Sequence, residues 1–118
     1  MKEFMLFIRA EGNPVAELSE ERQLEHVQKV GGFIQEMVST GKMKAAQPLE
    51  MEGTMIRGSE GKFKDGPFNE SKEVVAGYYH IVAEDLVEAV NIAKSDPRFE
   101  DGEWAIEVRP VMKIDGIN

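Results

Sequence analysis

Apolar residues lie on both faces of the first strand that the sequence predicts. In EFMLFIRA, residues 3–10, Phe4, Leu6 and Ile8 point to one side of the strand, and apolar residues between them point to the other. A strand that is apolar on both faces belongs to a sheet that is covered on both faces. Since one layer of helices covers only one face, the pattern predicts a second covering layer.

The spacing of apolar residues further along the chain predicts two helices. Ser19 is a typical N-cap residue, and Gly41 is a typical helix end. Between them, the positions expected to face the core are Leu24, Val27, Val30, Ile34, Met37 and Val38. A second amphipathic helix is predicted for residues 84–95, and the Asp-Pro pair that follows ends it.

The remaining segments predict strands. TMIRG and GKFK flank a hairpin turn, residues 73–83 are rich in Val and Tyr, and residues 101–114 form a last strand. The order β-α-β-β-β-α-β is typical of a ferredoxin-like α+β sheet with both helices on one face. The other face then predicts a homodimer in which two sheets pack as a dimeric α+β barrel. We expect one domain, residues 1–114, followed by a tail, residues 115–118.

Composition and charge exclude several classes of protein. The 118 residues contain no cysteine, so disulfides and thiolate metal sites are absent. With 14 basic and 22 acidic residues there is no basic footprint, so we expect no nucleic-acid binding. The apolar runs are too short for a membrane span or a signal peptide, which predicts a cytoplasmic protein that binds no membrane. No dinucleotide fingerprint, P-loop, nucleophile elbow or metal-ligand spacing is present, so we expect neither a cofactor nor a metal.

The segment KDGPFNESKE, residues 64–73, contains more charged, polar and aromatic side chains than a turn requires. Asp65, Gly66 and Pro67 predict a rigid turn. Phe68 is expected to anchor this turn against a strand or a partner subunit, and Glu70 and Lys72 would then project in a defined direction as substrate-binding residues. Surface ion pairs of this kind are also common and contribute little to stability.

The stretch DGPFNESKEVVAGYY, with FMLFI near the beginning and EVRP near the end, resembles the DGPF branch of the YCII-related proteins. The resemblance covers nearly the whole chain and implies a ferredoxin-like dimeric α+β barrel. It implies little about function, because most members are uncharacterised. Related YCII proteins carry a His and Asp pair proposed as an active site, one relative is a dehydrochlorinase, and DGPF members are often encoded near extracytoplasmic-function sigma factors.

His26 and Asp65 are the candidate catalytic residues. His26 lies at the edge of the apolar stripe of the first helix, where an imidazole can exchange protons at neutral pH. The alternative is a structural histidine bonded to a carbonyl or to water. Asp65 can orient His26 from its turn, or can simply bond its own backbone as an Asx-turn residue.

Four further residues are candidate substrate-binding groups on the predicted strands: Arg9, Tyr78, His80 and Arg109. If the apolar residues of these strands face the helices, these polar groups face the interior of the dimer. Two arginines there would bind a small anion. The alternative for Arg109 is a buried ion pair, for example with Glu107.

Three functions fit these residues, and the sequence leaves open whether the protein is an enzyme. The first is a cofactor-free lyase or isomerase acting on a small anionic molecule through a His/Asp pair. The second is a non-catalytic protein that binds a small ligand, or a regulator linked to sigma-factor control. The third is a dimer with a vestigial pocket. A ferredoxin-like fold alone favours none of them.

Overall fold

The computed structural model describes residues 1–67 and 72–118 and has an α+β architecture. In chain order its elements are β1 (Lys2–Ala10), α1 (Glu20–Ser39), β2 (Met43–Pro48), β3 (Thr54–Ser59), β4 (Lys62–Pro67), β5 (Val74–Ala83), α2 (Leu86–Lys94), a short 3₁₀ helix (Pro97–Glu100) and β6 (Ala105–Pro110).

One antiparallel sheet forms the centre of the protein, with the strand order β2-β5-β1-β6. The strands β3 and β4 form a separate two-stranded sheet, a hairpin inserted between β2 and β5. The central sheet and its two helices fit a ferredoxin-like α+β fold. The sequence predicted this fold class.

The core lies between one face of this sheet and the two helices. Phe4, Leu6 and Ile8 of β1 are buried there, and in the register of the sheet Leu6 lies beside Tyr79 of β5. The buried residues of α2 that complete the cluster are Ala89, Ile92 and Ala93. Both helices therefore pack on the same face of the sheet, as predicted.

The opposite face of the sheet is half-buried and mixed in character. Met5 and Phe7 of β1 lie there, beside His80 and Tyr78 of β5. The strand β1 thus has apolar residues on both faces, as its sequence pattern predicts.

Helix α1 begins and ends where the sequence predicts. The Ser19 side chain accepts a hydrogen bond from the backbone N–H of Arg22 at 3.2 Å, and Gly41 follows the helix with a φ of +77°. The predicted apolar face is only partly correct, because Leu24, Val27 and Val38 are more than half exposed. The core-facing stripe instead contains His26, Val30, Phe33, Ile34 and Met37. Two apolar stripes lie side by side on this helix, and their spacing does not show which one packs inward.

Three details of the predicted strands are corrected. Strand β2 was missed, because its residues are small or polar and it forms by pairing with β5. The last strand ends at Pro110, well before residue 114. The rigid turn expected at Asp65 is wrong, because Asp65 lies in β4 opposite Ile56. The hairpin predicted between TMIRG and GKFK is confirmed, and it turns at Glu60 and Gly61, both with positive φ, as two-residue hairpin loops require.

Candidate active site

A buried histidine lies where α1 meets the segment between α2 and β6. His26 is 6% exposed, and its Nδ1 is 2.9 Å from Oδ2 of Asp101. Its ring stacks on Trp104, with centroids 5.9 Å apart and an interplanar angle of 9°. A carboxylate on one side and an indole on the other therefore fix the orientation of the imidazole.

Asp101 is buried and is surrounded by cations. Lys29 Nζ is 2.8 Å from Oδ2, and Arg22 Nη2 is 3.8 Å from Oδ1. Trp104 Nε1–H donates to the Asp101 backbone carbonyl at 3.1 Å. Hydrogen bonds from Lys29, and then from His26, hold the pKa of the Asp101 carboxyl below its usual range. The same contact raises the pKa of Lys29. Asp101 is therefore ionised at neutral pH.

An ionised carboxylate only accepts hydrogen bonds, and this settles the tautomer of His26. Nδ1 carries the hydrogen and donates it to Asp101. In the neutral ring Nε2 is then the unprotonated nitrogen, with a free lone pair. Among the described residues no hydrogen-bond partner faces Nε2. The arrangement provides a base whose reactive nitrogen is left open.

A second buried network lies next to this pair. The Tyr79 hydroxyl donates to Asp96 Oδ2 at 2.9 Å, and Arg98 Nη1 lies 3.1 Å from the same oxygen and also donates to the Tyr79 hydroxyl. The Arg98 guanidinium lies 5.6 Å from the centre of the Tyr79 ring and 5.5 Å from that of Trp104. Burial raises the pKa of the Tyr79 hydroxyl, so this group stays protonated. Trp104 connects the two networks, because it contacts both His26 and Arg98.

A cavity of about 300 Å³ opens between α1, the end of β2 and these networks. Its polar lining includes His26, Tyr79 and Arg98, and its apolar lining includes Val27, Val30, Ile34 and Pro48. Its volume lies at the lower limit of small-molecule sites, so it fits a compact ligand.

The predicted pairing of His26 with Asp65 is not what the structure shows. Asp65 is exposed on the β3-β4 hairpin, where it lines a different hollow of about 540 Å³ together with Lys72. The carboxylate that contacts His26 belongs to Asp101. Phe68 and Glu70, which were predicted to anchor and extend the DGPF segment, lie outside the described residues.

The two arginines predicted to bind an anion lie on the helix-free face of the sheet. Arg9 Nη2 is 3.0 Å from Glu107 Oε1, and Arg109 Nε is 3.7 Å from Glu107 Oε2. Neither arginine lines the cavity that contains His26. The ion pair between Arg109 and Glu107 is the alternative that the sequence left open, although Arg109 is mostly exposed rather than buried.

Tyr78 and His80 share that helix-free face, as predicted. His80 Nε2 lies 2.7 Å from Glu3 Oε1, and Lys44 and Lys113 donate to the same carboxylate. Lys113, then Lys44 and then His80 lower the pKa of Glu3 to about 2. This cluster joins β1, β2, β5 and the segment after β6, so its visible role is to connect them.

Sequence reasoning found His26 but missed most of its surroundings. In the sequence, Asp96 is visible only as part of the Asp-Pro helix end, and Asp101 only as the first residue of the predicted last strand. Asp96 does cap the 3₁₀ helix, because its Oδ1 accepts from the Arg98 backbone N–H at 2.8 Å. The same side chain also holds Tyr79 and Arg98. A capping signal in a sequence therefore hides a second role that only the packing reveals.

Within residues 1–67 and 72–118, no group of three or more His, Asp or Glu side chains has the geometry to hold a metal ion. No helix of the described chain is both long enough and apolar enough to cross a membrane.

Comparison with known proteins assigns the chain to a family. No curated protein matches the chain. The family model described as the YCII-related domain matches residues 3–115, which is almost the whole sequence. The chain therefore belongs to the YCII-related domain family.

Proposed function

We propose that the protein is a cofactor-free enzyme that moves a proton on a small bound molecule, with Nε2 of His26 as the general base and acid. The observation that carries this proposal is the hydrogen bond between His26 Nδ1 and Asp101 at the wall of a cavity. Asp101 is a positioning residue, because it fixes the tautomer and stabilises the imidazolium that forms. A well-placed general base contributes about 10²- to 10⁴-fold to a rate.

The reaction class that fits is an elimination or an isomerisation. In both, Nε2 takes a proton from a carbon of the substrate, and the electron pair of the C–H bond forms a new double bond. In an elimination the bond to the leaving group breaks, the electron pair of that bond departs with the group, and the group can receive the proton. In an isomerisation a double bond already present in the substrate breaks as the new one forms, and its electron pair takes the proton back from the imidazolium at another carbon. Neither step needs an oxidant, a reductant or a covalent intermediate.

A non-catalytic role in small-ligand binding, with or without a link to sigma-factor control, is the second candidate. The observation that favours it is the enclosure of His26, which is 6% exposed and stacked on Trp104. A ring held in this way can serve as a wall of a binding site without transferring a proton.

The segment Asp65–Pro67 and its continuation support placing the chain in the DGPF branch of the family. The half-buried face with Met5, Phe7 and Tyr78 supports a homodimer in which this face is covered by a second sheet. The cavity at His26 depends neither on the DGPF branch assignment nor on the homodimer.

Solvent-hydrogen exchange tests the enzymatic proposal without knowledge of the substrate. The protein is incubated in D₂O with a mixture of small organic acids, and deuterium incorporation at carbon is followed by mass spectrometry. The chain has two histidines, so His80→Gln is a matched control for His26→Gln. We expect one or more compounds to gain deuterium with the wild type and His80→Gln, but not with His26→Gln. Exchange that persists in His26→Gln, or no exchange above the protein-free background, would overturn the proposal.

A further inference from the structure

Arg98 is a mostly buried cation that proton transfer at His26 does not require. Its side chain is 12% exposed, and Nη1 contacts both Asp96 and the Tyr79 hydroxyl. Its guanidinium lies over the rings of Tyr79 and Trp104. An arginine held in one position by a carboxylate and two rings is a preorganised donor.

Part of the guanidinium remains free to bind a ligand. In the described part of the chain, hydrogen bonds are made by Nη1, whereas Nε and Nη2 have no acceptor. No side-chain nitrogen or oxygen described there is both fully buried and unpaired. The free nitrogens of Arg98 are therefore accessible, and Arg98 lines the cavity. A planar guanidinium binds carboxylates through parallel N–H donors.

The charges around the cavity indicate how much negative charge a ligand carries. Asp96 balances Arg98, and Asp101 balances Lys29. The more exposed Arg22 and Glu100, which contact these pairs, also cancel each other. With Nε2 of His26 unprotonated, as the hydrogen bond to Asp101 requires, these charges sum to zero before a ligand binds. A monoanion then adds one negative charge to the site, whereas a dianion such as a phosphate monoester adds two, so the site favours the smaller charge.

The size and lining of the cavity restrict the rest of the ligand. A volume of about 300 Å³ corresponds to roughly ten water molecules, and so to a ligand of about ten non-hydrogen atoms. The apolar part of the lining is formed by Val27, Val30, Ile34 and Pro48. These side chains favour a compact hydrocarbon group over a sugar.

We propose that the cavity binds a small monocarboxylate with an apolar body and that Arg98 holds the carboxylate. This inference deepens the proposed function, because it assigns a ligand class to the site of His26. It also replaces the sequence-based expectation that Arg9 or Arg109 holds the anion, since both lie on the other face of the sheet.

Benzoate and benzamide test the charge requirement directly, because they share size and shape and differ in charge. Trp104 is the single tryptophan and contacts both His26 and Arg98, so its fluorescence reports on the cavity. Titrations by fluorescence and calorimetry at pH 7 are expected to show benzoate binding at least about 10-fold more tightly than benzamide. Equal affinities, or no benzoate binding at millimolar concentrations, would overturn the inference.

Two substitutions locate the binding residue. Arg98→Met is expected to weaken benzoate binding at least about 10-fold and to remove the preference over benzamide. Arg109→Met, at an exposed arginine outside the cavity, is the matched control and is expected to bind like the wild type. If Arg98→Met does not fold, Arg98→Lys keeps a positive charge beside Asp96 but loses the planar pair of donors, and a benzoate affinity reduced several-fold is expected. A loss in Arg109→Met, or an unchanged affinity in every folded Arg98 variant, would refute the assignment.

Carboxylate binding and proton transfer can fail separately. A protein that binds benzoate through Arg98 and exchanges no solvent hydrogen would keep this inference and overturn the enzymatic proposal. A protein whose His26-dependent exchange involves neutral compounds as readily as acids would keep the enzymatic proposal and overturn this inference.

Discussion

Asp96 is predicted to be the aspartate on which the fold depends most strongly, and Asp96→Ala tests this. Its carboxylate caps the 3₁₀ helix through the Arg98 backbone N–H and also accepts from the Tyr79 hydroxyl and the Arg98 guanidinium. Alanine removes the cap and leaves a buried hydroxyl and a mostly buried cation without this acceptor.

The loss of stability expected for Asp96→Ala is the sum of two contributions. A lost cap costs about 1 kcal/mol. Leaving the Tyr79 and Arg98 donors unpaired adds about 2–3 kcal/mol, at the lower end for a buried ion pair because Arg98 retains some solvent contact. The total is about 3–4 kcal/mol. For 118 residues the entropy of unfolding gives about 4 °C per kcal/mol, so we expect Tm to fall by about 12–16 °C.

Asp85→Ala is the matched control for the capping contribution. Asp85 caps α2 by accepting from the Glu88 backbone N–H at 2.9 Å, and that contact is exposed. Its loss is expected to lower Tm by only about 4 °C. Thermal and urea unfolding of both variants at one protein concentration give the comparison. Equal losses in the two variants would refute the claim that the buried network with Tyr79 and Arg98 stabilises the fold.

Three further predictions concern other parts of the protein. Gly32→Ala is expected to stabilise the fold by about 0.5–1 kcal/mol, because a Cβ there meets nothing within 4 Å. Gly77→Ala is expected to destabilise the fold, because its Cβ would lie 2.9 Å from the Gln47 carbonyl oxygen. Urea unfolding in which both variants change the free energy of unfolding in the same direction would contradict this. Since the pKa of Glu3 is lowered to about 2, its ionised form stabilises the fold above its ordinary pKa of 4.5, and this contribution is lost as the pH falls from about 4.5 towards 2; a Glu3→Gln variant with an unchanged acid-unfolding slope would argue against it. The protein is expected to be a homodimer with an interface of at least about 1,000 Å², and a monomer in light scattering at micromolar concentration would exclude that.

Elements with a strong local signal could be predicted from the sequence. Ser19 and Gly41 bound α1 because capping and a left-handed helix end depend on a few neighbouring residues. The pattern of β1 identified a strand with apolar residues on both faces but did not show which face packs against the helices. The Glu60-Gly61 turn lies within the predicted hairpin. Strand β2 could not be predicted, because its residues have little strand propensity and its pairing with β5 is set by the whole sheet.

The candidate site could be predicted only in part. The helical position of His26 showed that it lies at the edge of the core. Its partner Asp101 is 75 residues away in sequence, and nothing in the local pattern distinguishes this Asp-Gly pair from the one at Asp65. The packing of the 3₁₀ helix against α1 brings Asp101 to the histidine, and that contact depends on the complete fold.

Asp101 is expected to fix His26 with the hydrogen on Nδ1 and with Nε2 unprotonated, and this tautomer can be measured directly. Long-range ¹H–¹⁵N NMR spectra of uniformly ¹⁵N-labelled protein at pH 8 distinguish the two ring nitrogens, with His26→Gln and His80→Gln variants for assignment. We expect the wild type to carry the hydrogen on Nδ1 of His26, and Asp101→Asn to lose this single tautomer. A His26 ring with the hydrogen on Nε2, or the same spectrum in Asp101→Asn, would contradict it.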